Sequence, residues 1–114
     1  MENHSWFKEL PVAITVSNAS GNLIEMNDLA RNTFGFTEDE YQSINMLDCH
    51  PEPARSKLIE LMNHQQSNIY TIEKNGAKKM IIQMPWFTEG SYQGHVEVSV
   101  SLPETIPHFI RQKE

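Results

Sequence analysis

At 114 residues the chain has room for one compact domain, and 39% apolar residues are enough for a single core. A formal net charge of −6 provides no basic footprint for a phosphate backbone or an anionic membrane surface, so nucleic acid and membrane are not expected partners, and no apolar run approaches bilayer-spanning length. The one cysteine, Cys49, cannot close an internal disulfide, and the start of the chain lacks a charged segment followed by an apolar run; a cytoplasmic location is the expectation.

Trp6, Phe7 and Leu10 recur at helical spacing before Pro11, so residues 1–10 read as a short amphipathic lead-in helix. Val12, Ile14 and Val16 then alternate with Ala13, Thr15 and Ser17, the period of a half-buried strand. Asn18-Ala19-Ser20-Gly21-Asn22 supplies turn residues, and Leu23 to Met26 returns as the second arm of a hairpin. Asn27 is placed to cap a helix carrying Leu29, Ala30 and Phe34, with Gly35 as its stop. Thr37-Glu38-Asp39-Glu40 has capping-box spacing and opens another short helical turn.

Asp48-Cys49-His50-Pro51-Glu52-Pro53 reads as the entry to the main helix, where a first-turn proline gives up only an N–H that has no helical partner. Ala54, Leu58, Leu61 and Met62 form the apolar stripe of that helix, Arg55, Lys57 and Glu60 face water, and the helix is predicted to end near Gln66. Ile69 to Lys74, the turn Asn75-Gly76 and Lys79 to Phe87 make a second hairpin, with Met80, Ile82, Met84 and Trp86 sharing one face. After Thr88-Glu89-Gly90, Tyr92, Gly94, Val96, Val98, Val100 and Leu102 alternate with Gln93, His95, Glu97, Ser99 and Ser101, which predicts a strand with its apolar side buried and its polar side wet. The fold class is therefore α+β: a five-stranded antiparallel sheet with short helices and one longer helix on one face, spanning residues 11–102 and followed by a tail, 103–114, that holds Phe109 and Ile110.

That element order, the turn Ser20-Gly21-Asn22 before Leu23-Ile24-Glu25-Met26-Asn27, and the ending Tyr92-Gln93-Gly94-His95-Val96-Glu97-Val98 resemble a PAS domain. Leu47-Asp48-Cys49-His50-Pro51 is similar to the entry found in bacterial PAS domains that accompany hemerythrin-like modules; here no such module is present and Leu102-Pro103-Glu104-Thr105 replaces the usual acidic exit toward an output domain. The resemblance implies a sensor without enzymatic activity, acting in trans on a signalling partner, with a pocket between sheet and helices for haem, flavin or a small metabolite.

By face and period the expected lining is Met26, Phe34, Leu58, Met62, Met80, Ile82, Met84 and Val98, although an apolar stripe of this kind also serves simply as packing. Haem is the sharpest cofactor reading, since His50 and His64 bracket the main helix and imidazole is an axial ligand of haem iron; position favours His64, while His50 doubles as a helix-entry residue. Cys49, before a helix start, has either a lowered pKa or the role of a small buried apolar group. No catalytic motif and no paired metal-ligand motif is present. A rival reading is a small cone-shaped isomerase using Asp28 or Tyr70, and another is a ligand-free module forming homodimers through Trp6, Phe7 and Leu10.

Overall fold

The computed structural model describes residues 5–37 and 39–112. Along the chain run α1 (Ser5–Lys8), β1 (Ala13–Ser17), β2 (Leu23–Met26), α2 (Asp28–Phe34), 3-10 turns at Glu40–Ser43 and Met46–Cys49, α3 (Ala54–His64), β3 (Asn68–Lys74), β4 (Ala77–Thr88) and β5 (Ser91–Ser101). All strand pairs are antiparallel, and the sheet order is β2-β1-β5-β4-β3, which places the last strand beside the first.

Local chemistry sets these boundaries. Asn27 caps α2, its Oδ1 accepting from Ala30 N–H, and Gly35 ends the helix in the left-handed conformation, with its N–H returned to Arg31 and Asn32 carbonyls. Both N–H and Oγ1–H of Thr37 donate to Glu40 Oε1, at 2.6 and 2.8 Å, but the reciprocal half of the expected capping box is missing: Glu40 N–H goes to the Thr37 carbonyl, and the 3-10 turn starts at Glu40 with Asp39 at its N-cap; Glu38 of that segment lies outside the described residues, as do residues 1–4 of the lead-in. The β3–β4 connection is the two-residue turn Asn75-Gly76 with both φ values positive, 54° and 80°, the conformation whose twist matches the strands it joins. Gln65 closes α3 in the left-handed region, one residue before the predicted end.

The apolar core gathers Leu23, Met26, Ala30, Tyr41, Met46, Leu58 and Met62, so it lies between β2, α2, the 3-10 turns and α3. Leu58 is nearly inaccessible, a burial worth about 2 kcal/mol. Phe7 is buried as well, and its carbonyl accepts from Asn27 Nδ2; it packs into its own chain, leaving Trp6 71% exposed.

The register overturns one expectation about the sheet. Thr15 lies opposite Glu97, Glu97 opposite Gln83 and Gln83 opposite Asn68, and this polar row turns toward the helices, where Glu97 meets His50. Alternation then sends the row Ile14, Val98, Ile82 and Ile69 to the opposite face, together with Val16, Val96, Val100, Met80 and Met84. The side predicted to be wet is thus the inner one, and the apolar side is the outer one. The polar inner face is tolerated because its groups bond one another: among the described residues no buried side-chain nitrogen or oxygen lacks a partner.

Candidate functional site

The centre of the inner face is Glu97. Gln83 Nε2 donates to its Oε1 at 3.1 Å, Asn68 Nδ2 donates in turn to Gln83 Oε1 at 3.2 Å, and His50 Nε2 lies 3.4 Å from the same Glu97 oxygen. His50 is delivered from the other layer by the turn Met46–Cys49, where its Nδ1 donates to Met46 O at 2.8 Å. Because the Met46 carbonyl and the Glu97 carboxylate both accept, the arrangement favours the doubly protonated imidazolium. The hydrogen bond to Glu97 accordingly holds His50 above its ordinary pKa, against the opposing effect of burial. For Glu97, burial pushes the carboxyl up, but hydrogen bonds from His50 and Gln83 outweigh it and leave the group below the usual carboxylate range.

Two clefts flank this row. One, of about 200 Å³, opens between the C-terminal end of α2 and the sheet and includes Phe34, Ile72, Lys74, Lys79, Ile81 and Glu97 in its walls. The other, of about 340 Å³, lies by the start of α3 and is bounded by Pro53, Lys57, Tyr70 and Gln83. Adjoining the first, a narrow gap of about 10 Å³ is lined by Phe34, Met46, Cys49, His50 and Glu97. Burial and the Asp48 and Glu97 carboxylates raise the Cys49 pKa, so it is not an activated thiolate. Cys49 ends a 3-10 turn rather than preceding a helix start, which removes the dipole effect expected from the sequence.

The residues expected to line one pocket separate into three groups. Phe34 borders both the first cleft and the narrow gap, and His50 stands at the gap beside Glu97. Met26, Leu58 and Met62 are buried core; Met26 also borders a polar surface cleft shared with Lys8, Asp28, Arg31 and Tyr41, away from the Glu97 row. Met80, Ile82, Met84 and Val98 lie on the outer face of the sheet, because the register places Gln83 and Glu97, not their apolar neighbours, toward the helices. His64 is the exposed last residue of α3, and His50 has both ring nitrogens engaged, so neither presents a free axial nitrogen to a cavity and these two histidines do not fit the role of haem ligand.

Among the described residues no group of three His, Cys, Asp or Glu side chains is placed to hold a metal ion. Asp28 pairs with Arg31 at the start of α2, and Tyr70, with a pKa raised by burial and by the Glu97 charge, stands at the rim of the second cleft.

Glu97, Gln83 and Asn68 are the site residues that sequence reasoning missed. Each occupies a polar position of a strand, and only the cross-strand register reveals that they form one row. His95 was assigned to the wet side for the same reason, yet it is 1% exposed: its Nε2 donates to Gln66 O at 3.3 Å and its Nδ1 accepts from Tyr92 O–H at 2.9 Å. Burial holds its pKa below the ordinary value, consistent with a neutral ring.

No family model matches the sequence, and no curated protein matches it. Solved structures do match the fold. The PAS domain of Bordetella pertussis BvgS superposes with a TM-score of 0.67 at 18% identity, covering 88% of this chain and 83% of that one. A sensory box sensor histidine kinase from Vibrio cholerae gives 0.66 at 14% identity, with 87% and 88% covered. VqmA bound to DPO gives 0.63 at 16% identity over 86% of this chain, which spans 56% of that one. The chain has the PAS fold, as its element order and end motifs led one to expect. No helix of the described residues is long and apolar enough to cross a membrane.

Proposed function

We propose that this chain is a sensory module that takes a small molecule between its helices and the inner face of its sheet and signals in trans to a protein partner. The observation that carries the reading is the row Thr15, Glu97, Gln83 and Asn68, turned inward and flanked by two clefts. A few convergent polar groups among apolar walls are what a ligand site needs for orientation. The likeness to VqmA, a protein solved with DPO bound, supports the same reading. Occupancy would shift α2 and the His50 turn against the sheet, and binding that favours one such arrangement moves the population toward it. No catalytic role is assigned: Asp28 is committed to Arg31, and Glu97 is held ionised by His50 and Gln83.

The test is a thermal-shift screen of small metabolites, with every hit repeated on Glu97→Gln. A stabilising compound whose shift falls by at least half in that variant supports the reading. Hits that are indifferent to Glu97, or a metabolite screen without hits, would remove it.

The second reading, a homodimerising adaptor, is favoured by a separate observation. The outer sheet face presents Ile14, Val16, Met80, Ile82, Met84 and Val98, and Trp6 projects with 71% of its surface exposed. With Phe7 committed to its own core, such an interface would rest on Trp6 and the sheet rather than on Trp6, Phe7 and Leu10 together.

A further inference from the structure

We propose that the cleft beside Phe34 takes a small aromatic monocarboxylate, its carboxylate held by Lys74 and Lys79 and its ring by Phe34, Ile72 and Ile81. This rests on the reading of the chain as a ligand-binding module and specifies the ligand class. Lys79 lies directly opposite Ile72, and Lys74 is two residues further along β3, so the two lysines occupy diagonal positions on the same helix-facing side. Diagonal neighbours of this kind are about 7–8 Å apart, within joint reach of one anion. Both line the cleft, and neither is in an ion pair among the described residues. Two unpaired like charges on adjacent strands repel, and an anion seated between them relieves that repulsion.

The remaining charge on the cleft wall does not cancel them. Glu97 is already matched by His50 and takes Gln83 as a further donor, so the lysines leave the cleft with a net positive character. Glu97 also sets a limit: a second carboxylate pushed toward it would meet like charge, whereas a hydroxyl or N–H would find an acceptor. The body of the ligand is set by the walls. Phe34 is 44% exposed, its ring stacks on that of Phe36 with centroids 6.0 Å apart, and it shares the cleft wall with Ile72 and Ile81 of the sheet, an apolar lining suited to a ring. A volume of about 200 Å³ falls below the 300–1,000 Å³ range of drug-sized sites, which limits the body to about a single ring.

The experiment is an amide-resolved NMR titration with phenylacetate and with its uncharged isostere phenylacetamide, on the full chain and on a Lys74→Gln/Lys79→Gln variant. Phenylacetate is expected to move the amides of Phe34, Ile72 and Ile81 and to bind about tenfold more tightly than the amide, the difference vanishing in the double variant and shrinking in high salt. Lys74 is exposed and Lys79 half-buried, and the variant's spectrum reports whether the fold is retained. Equal affinity of acid and amide, or an acid affinity unchanged by loss of the lysines, overturns the carboxylate assignment while leaving a ligand site in place. If neither compound moves an amide of this cleft, the assignment falls and takes the ligand-binding reading of this cleft with it.

Discussion

His50 touches both the turn that precedes α3 and the middle of β5, so its charge state ties a helix entry to the sheet. Its folded pKa is raised, so it contributes stability that is fully present below the unfolded value of about 6.5 and is lost as pH rises through the higher folded value. Glu97 works in the opposite range: its lowered pKa contributes stability above about 4.3 that is lost as pH falls through the folded value. The pair is therefore strongest between those limits. His50→Gln is expected to cost about 1–2 kcal/mol at pH 6, where the pair is charged, and clearly less at pH 9, measured by urea unfolding at both values. His95, with a lowered pKa, tilts the stability of both proteins the other way across neutral pH, so the difference between wild type and variant isolates His50.

Asn27 joins three elements through one side chain. Its Oδ1 accepts from Ile14 N–H at 2.9 Å and from Ala30 N–H at 3.2 Å, while its Nδ2 donates to Val12 O at 2.7 Å and Phe7 O at 3.2 Å, and the side chain itself is fully buried. Asn27→Ala would leave buried backbone groups unpaired and is expected to lose about 2–4 kcal/mol in chemical denaturation. Asn27→Asp, which keeps both accepting contacts to Ile14 and Ala30 but lacks the donors, serves as the comparison. A cost no greater than that of an ordinary cap, about 1 kcal/mol, would show that the links to α1 and β1 carry little. At this scale the sequence was readable wherever local chemistry decides. Asn27 and Gly35 bounded α2, Thr37 and Glu40 met through the glutamate half of their box, and Asn75-Gly76 made its hairpin. The orientation of the sheet was not readable, because alternation gives two faces without saying which is covered. β5 shows why: its apolar side, Val96, Val98 and Val100, looks like a core face until register groups Glu97, Gln83 and Asn68 under His50. The site was legible only in Phe34 and His50, since the rest of it is assembled across strands.

On the scale of the whole molecule, the outer face of the sheet presents a continuous row of apolar side chains. Valine, isoleucine and methionine side chains on the strands β1, β4 and β5 form it, and several are only half-buried. If a second copy covers this face, Val98→Lys places a charge at its centre and is expected to shift the protein to monomer on sizing with light scattering, with Trp6→Ala having a weaker effect in the same direction. The fold should tolerate the lysine, because the position points away from the helices and the long side chain reaches water. A wild-type chain that is already monomeric at high concentration, or a dimer untouched by Val98→Lys, would exclude this face as the contact.

The sheet order has a consequence for how the chain is made. β1 finds its central neighbour only in β5, with Ala13 paired to Ser99, whereas β3, β4 and β5 are joined by turns of two residues and can pair locally. Long-range pairings of this kind close late, after the loop entropy between them has been overcome. During synthesis the β1–β2 hairpin must therefore wait on the ribosome surface, its edge unpaired, until the final strand emerges, and that interval is when the nascent chain is most open to capture by chaperones or by another copy of itself.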